Sequence, residues 1–149
     1  MGCLQLNERA NKVDSLSPTE VVGFGNSEGI KLQSQSSWGI GKNTHTPDQV
    51  CQILTHEFTH YVEFSLAKNE IPLWFNEGVA VYTAMQNKEY LVRDAHKSGK
   101  LILLEKLDKK WYDNPDLAYA EAGSFVKFLV SNYKGSLSEV FQGLKSGKF

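Results

Sequence analysis

Cysteine is scarce in this chain. Cys3 and Cys51 are the whole complement, and neither their number nor their placement resembles a disulfide framework, so both read as free thiols. A surplus of one charge is also missing. The 16 Lys and Arg are balanced by 17 Asp and Glu, a net charge of -1, which excludes bulk attraction to nucleic acid or to an anionic membrane as the basis of function. No apolar run approaches the length of a membrane span. The amino end has neither the basic stretch nor the long apolar run of a secretion signal. Met1-Gly2 is discounted as an acylation signal, because Leu6 stands where Ser or Thr is expected. The start of a larger protein fits that end equally well, and nothing in the composition assigns a compartment. Internal repeats and low-complexity tracts are absent too. What remains is 149 residues, 41% hydrophobic, with three Trp, six Tyr and eight Phe. That is enough for one domain with a real core and too little for two well-built ones.

Function must therefore be sought in a site, and one stretch offers it. In His56-Glu57-Phe58-Thr59-His60 the two histidines are four apart, so on a helix both imidazoles leave one face, one turn apart, and can close on one metal ion. Glu57 sits beside them, placed to deprotonate a water held there. The local signals support a helix. Thr46-Pro47-Asp48-Gln49 supplies a cap, a proline at the first helical position and a capping-box partner, predicting a helix from Thr46 to about Ala67. Val50, Leu54, Phe58, Tyr61, Val62 and Leu66 form its apolar stripe, expected to face the core. Ile53, His56, Glu57, His60 and Phe64 form a neighbouring stripe expected to face a cleft.

Around this helix the chain reads as strands first and helices afterward. Residues 1–18 are a flexible lead-in and 19–149 the domain. Two extended runs, Thr19 to Phe24 and Ile30 to Ser34, flank a turn signal over Gly25 to Gly29 and predict a short antiparallel pair. Ser34 to Asn43 reads as a loop or a further short strand. After a connection through Pro72, a second helix runs from about Leu73 to Met85, with Trp74, Val81, Tyr82 and Met85 as anchors. Its Gly78 and Ala80 are small enough for close approach of a neighbour, expected to be the first helix. A short helix near Tyr90, a turn at Ser98-Gly99, an apolar run Leu101 to Leu104 and a loop over Trp111 to Pro115 follow. A long helix then runs from about Asp116 to Tyr133, buried through Ala118, Ala122, Phe125, Val126, Leu129 and Val130. Ser136 and Glu139 have the spacing of a second capping box, opening a last helix through about Leu144.

A catalytic zinc takes three protein ligands and keeps a position open for water. His56 and His60 supply two, and Glu77, in Trp74-Phe75-Asn76-Glu77-Gly78, is the best-placed third. A His, His, Glu set suits Zn2+ or a late first-row metal rather than Ca or Mg. Asn76 either braces the site or caps local backbone. The transition state of amide hydrolysis needs a further donor. Tyr119, Tyr112, His45 and His96 have suitable chemistry, and Tyr119, at the start of the long helix, is preferred. The strand Ile30 to Ser34 could receive an extended peptide by edge pairing or simply pair within its own sheet. Two rival readings stand beside a zinc-dependent peptidase. One is a noncatalytic or latent domain that keeps zinc for structure or binding, against which Glu57 argues, since structural metal needs no base. The other is a hydrolase of a different amide.

His56-Glu57-Phe58-Thr59-His60, then Leu73 to Tyr82, and more loosely Ala118 to Val130, resemble the gluzincin zinc metallopeptidases, particularly small peptidase MA-like domains related to the thermolysin and aminopeptidase N families. The resemblance spans residues 20 to 145 in order. It implies a small α+β zincin-like domain, zinc on His56, His60 and Glu77, Glu57 as general base and acid, and a peptide or protein substrate, while the balanced charge and the short apolar runs already predict no nucleic acid partner and no membrane span. Three departures accompany it. Val81 stands where a thermolysin-type Asp would orient a ligand histidine, the aminopeptidase motif for a free amino terminus has no counterpart, and no motif fixes Tyr119 as the donor. The chain is also much shorter than the large members, so a partner domain or a self-inhibiting segment is a further expectation.

Overall fold

The computed structural model describes residues 23–26, 29–32, 45–67, 71–133 and 135–146. The lead-in 1–18, the outer parts of both predicted strands and the segment 34–43 lie outside the described residues. The chain divides into two compact units, Met1–Tyr61 and Val62–Phe149, and the boundary falls inside one unbroken helix.

The first unit holds strands β1 (Gly23–Asn26) and β2 (Gly29–Leu32), antiparallel, with Phe24 opposite Lys31 and Asn26 opposite Gly29. Strand β1 continues through Gly25 and Asn26, which the sequence placed in the turn. Gly29, at φ 129°, adopts a conformation that side chains disfavour. Helix α1 (Pro47–Ala67) begins with the predicted reciprocal cap. The Thr46 N–H donates to Gln49 Oε1 at 2.8 Å and the Gln49 N–H to Thr46 Oγ1 at 3.3 Å, satisfying donors that a helix start leaves open. Cys51 is a free, exposed thiol.

The face assignment of α1 is corrected. Leu54 (45%), Phe58 (54%), Tyr61, Val62 and Leu66 are exposed, whereas Thr59, His60 and Glu63 are buried. A period of steps of four identifies a stripe, but burial follows which stripe has a neighbour. Here the polar one is covered.

The second unit contains α2 (Leu73–Thr83), α3 (Glu89–Lys97), α4 (Leu104–Lys110), a 3-10 turn (Trp111–Asp113), α5 (Pro115–Asn132) and α6 (Leu137–Lys145). Its core has two parts. Phe75, Val79, Val126 and Phe141 form one, and Leu107, Trp111, Ala118 and Ala122 the other, with Trp74 packed against both. Burying a side chain such as Phe75 or Val126 stabilises by about 1.5–3 kcal/mol. Helices α2 and α5 approach to backbone contact. A Cβ on Gly78 would lie 2.7 Å from the Ala122 carbonyl oxygen and 2.9 Å from Val126 Cγ2, and one on Gly123 would meet Val81 and Asn87. The neighbour that Gly78 admits is thus α5, correcting the expectation that it would be the first helix.

Several ends differ from expectation for identifiable reasons. Met85, expected among the anchors, is 83% exposed and left-handed at φ 55°. It stops α2, with the Gln86 N–H donating to the Val81 carbonyl at 2.9 Å. The apolar run Leu101 to Leu104, to which the sequence assigned no element, leads into helix α4. The expected loop over Trp111 to Pro115 is a helical turn with Trp111 buried, and Pro115 is already the first residue of α5. The Asn114 side chain caps α5 by accepting from the Leu117 N–H. Val130 is exposed and Phe125 only half-buried on α5, where small residues and Glu121 occupy the buried face instead. Helix α6 opens with the predicted second box, Ser136 N–H to Glu139 Oε2 at 3.0 Å and Glu139 N–H to Ser136 Oγ at 3.2 Å. Exposed ion pairs Lys88–Asp116 and Lys127–Glu89 link the segment around α3 to α5, a contribution that is small at a solvated surface. The architecture is a small α+β zincin-like domain, an antiparallel hairpin followed by helices.

Candidate metal centre

Helix α1 presents its two histidines as the spacing requires. Their Nε2 atoms face each other at 3.1 Å, with ring centroids 4.7 Å apart and planes at 85°. One imidazole can donate to the other across that gap, and two nitrogens turned toward a common point can equally hold a cation. Two nitrogens bound tetrahedrally to one zinc ion, each about 2.1 Å away, lie about 3.4 Å apart, so the pair needs little adjustment. His60 is buried (7% exposed) and His56 half-buried, which limits the competition of bulk water for the same nitrogens.

Between the histidines, Thr59 is buried although its side chain is polar. Its hydroxyl donates to the Thr55 carbonyl at 2.8 Å, as that of Thr55 does to Cys51. Bonding back to the preceding turn removes the cost of burying that hydroxyl and leaves the imidazoles as the chemically available groups of this turn.

Glu77 stands in the middle of α2. One ligand atom from each of His56, His60 and Glu77 lies within 4.8 Å of the others, so a His/His/Glu cluster able to coordinate a metal ion is present. Its two imidazoles and one carboxylate suit zinc or a late first-row metal better than the oxygen-only cages of Ca or Mg. Glu57, adjacent in sequence to His56, is half-buried on α1.

The start of α2 is held by groups that sequence spacing does not reveal. Pro72 precedes the helix without a side-chain cap, and the Trp74 N–H is met instead by Asp108 Oδ1 of α4 at 2.8 Å. Asn76 Nδ2 donates to Glu63 Oε2 at 2.7 Å. The only available signal for Glu63 was its position three residues after His60, on the same face of α1.

The remaining candidates stand as follows. Tyr119, in the second turn of α5, packs edge-to-face with Trp111, with ring centroids 4.9 Å apart and planes at 75°. Tyr112 is exposed in the 3-10 turn. His45 lies just ahead of α1 and is half-buried. His96 lines a groove of about 560 Å³ with Arg93, Leu101, Lys127 and Phe128, a groove that none of His56, Glu57, His60 and Glu77 lines. Among the described residues no helix is long and apolar enough to cross a membrane.

Comparison with known proteins adds the following. The Peptidase MA superfamily matches the chain over residues 26–149. A microbial collagenase of Vibrio alginolyticus is 24% identical over 106 residues, a match covering 64% of this chain and 13% of the collagenase. The matched region is thus a small fraction of that relative's length. No solved structure matches the chain.

Proposed function

The chain belongs to the Peptidase MA superfamily, and from that premise we propose that it is a zinc-dependent metallopeptidase, an endopeptidase in which His56, His60 and Glu77 hold Zn2+ and Glu57 is the general base. The observation that carries this reading is the convergence of the three ligand atoms within 4.8 Å, with a carboxylate one residue from the first ligand.

Bound zinc would supply a Lewis acid that polarises the scissile carbonyl and makes water acidic enough to give up a proton near neutrality. The residues of the chain do the rest. Glu57 is too close along the helix to His56 to coordinate comfortably, and it is placed to accept the proton of the attacking water. It then returns that proton to the departing amine, so each turnover restores its carboxylate. Tyr119 is assigned as the hydroxyl donor to the developing oxyanion. The resemblance to a collagenase makes a protein the substrate class to try first. The missing counterpart of the aminopeptidase motif supports internal cleavage.

The test is metal content and hydrolysis of an unfolded protein, measured together on wild type and Glu57→Gln. One zinc per chain in both with cleavage by wild type alone is expected. One zinc in both with cleavage by neither would instead support a noncatalytic or latent domain on the same scaffold. The exposed apolar residues Leu54, Phe58 and Leu66 favour that second reading, because such a stripe is what a covering partner domain would bury.

A further inference from the structure

Glu63 is the most deeply buried charged side chain among the described residues, at 1% exposure. A carboxylate is kept in such a place only where hydrogen bonds replace the water it has lost. Its position on α1 is three residues after His60 and seven after His56, which puts all three on one helix face. Its Oε2 accepts from Asn76 Nδ2 at 2.7 Å. Asn76 is held at its other end as well, since its backbone N–H donates to the Pro72 carbonyl at 3.0 Å. It immediately precedes Glu77.

We propose that Glu63 and Asn76 are positioning residues of the metal centre, their hydrogen bond fixing the end of the histidine helix to the turn that carries Glu77. The inference rests on the reading of His56, His60 and Glu77 as zinc ligands. The physical argument is one of leverage. The two imidazoles are set relative to each other by their own helix, so their spacing needs no outside support. Glu77 belongs to a different helix, and its reach toward the histidines depends on how α1 and α2 are joined. Asn76 adjoins Glu77 and Glu63 lies one helical turn from His60, so a bond between them transmits position with little slack. Neither residue is assigned to touch substrate or ion. Groups that hydrogen-bond directly to metal ligands are commonly worth about 10–100-fold in metal affinity, and that range is the scale for a brace set one residue from Glu77 and one helical turn from His60.

The experiment measures zinc affinity by competition with a chromophoric chelator, the visible absorption of the Co(II)-loaded protein, and the thermal midpoint of the metal-free chain. The variants are Asn76→Ala, Glu63→Ala, both together, and Glu63→Gln, with His60→Ala as the ligand control. Loss of the brace is expected to weaken zinc binding about 10–100-fold and to alter the cobalt bands, with the double variant no weaker than the worse single one. Glu63→Gln keeps an oxygen for Asn76 and is expected to stay within about threefold of wild type with its cobalt spectrum. A general loss of packing would lower the metal-free midpoint without this rescue. Should Glu63→Ala fail to fold, Asn76→Ala decides alone, since Asn76 is only half-buried. Wild-type affinity and an unchanged cobalt spectrum in Asn76→Ala, with zinc lost in His60→Ala, would overturn the brace and leave the ligand reading intact. Zinc absent from wild type, or retained by His60→Ala, would remove the ligand reading and the brace with it.

Discussion

The backbone N–H of Trp74 donates to the carboxylate of Asp108 at 2.8 Å, across thirty-four positions of sequence. The first turn of the helix that carries Glu77 is therefore capped by another helix, α4, rather than by its own N-cap residue, Pro72. A negative group at that end also complements the helix dipole.

Asp108→Ala should cost about 1 kcal/mol and lower the thermal midpoint by a few degrees. Asp108→Asn, which keeps an acceptor oxygen, should lose less. Calorimetry on the three proteins checks the order, and equal midpoints would mean that the cap is worth nothing.

Gly78→Ala should be more damaging. The new methyl would meet the Ala122 carbonyl at 2.7 Å, and a backbone atom cannot rotate away, so α2 and α5 must part. A loss of about 1–3 kcal/mol is expected, the range for overpacked cores. Urea unfolding measures it. A neutral substitution would show that the helices sit further apart than described.

Glu121 gives a pH dependence. Burial pushes its carboxyl above the ordinary 4.5, and the hydrogen bond it accepts from the Ile102 N–H opposes that only in part. A folded pKa above the unfolded one means that the folded state holds the proton more tightly. Stability from this group is thus present below the ordinary value and is lost as pH rises through the raised one. Glu121→Gln keeps an acceptor for Ile102 and should flatten this slope. At neutral pH it should match or exceed wild type, and unfolding titrations from acid to neutral pH would test the sign.

His60→Ala should lose both zinc and hydrolysis, whereas Glu57→Gln should keep its fold and nearly all its zinc while losing hydrolysis. Metal analysis after gel filtration separates the two. Zinc retained at one per chain in His60→Ala would remove this histidine from the ligand set.

What could be read in the sequence was what lies within one helical turn. Both capping boxes, Thr46 with Gln49 and Ser136 with Glu139, are three-residue patterns and appear as predicted. The four-residue step from His56 to His60 placed two rings on one face for the same reason. The partners that act through space left no such trace. Asp108 and Trp74 belong to different helices, as do Glu63 and Asn76, and no period connects them. The outward turn of the Leu54, Phe58 and Leu66 stripe was illegible because amphipathic spacing marks a face without saying what covers it. Helix α4 was missed because only seven residues form it, too few to display a period, and its one buried side chain, Leu107, draws its meaning from Trp111 and Ala118.

Helices α2 and α5 each offer a glycine where the other offers bulk, Gly78 toward Ala122 and Val126, Gly123 toward Val81. Backbones so close leave no room for water to enter between them until they separate together. Amides of these helices should be among the last in the chain to exchange with deuterium, opening only with global unfolding, while those of the exposed end of α1 exchange early. Glu77 then rides on the most persistent part of the second unit, and stripping the metal should leave its helix protected. The reversible event on metal release would be confined to side chains and to the helix carrying the two histidines.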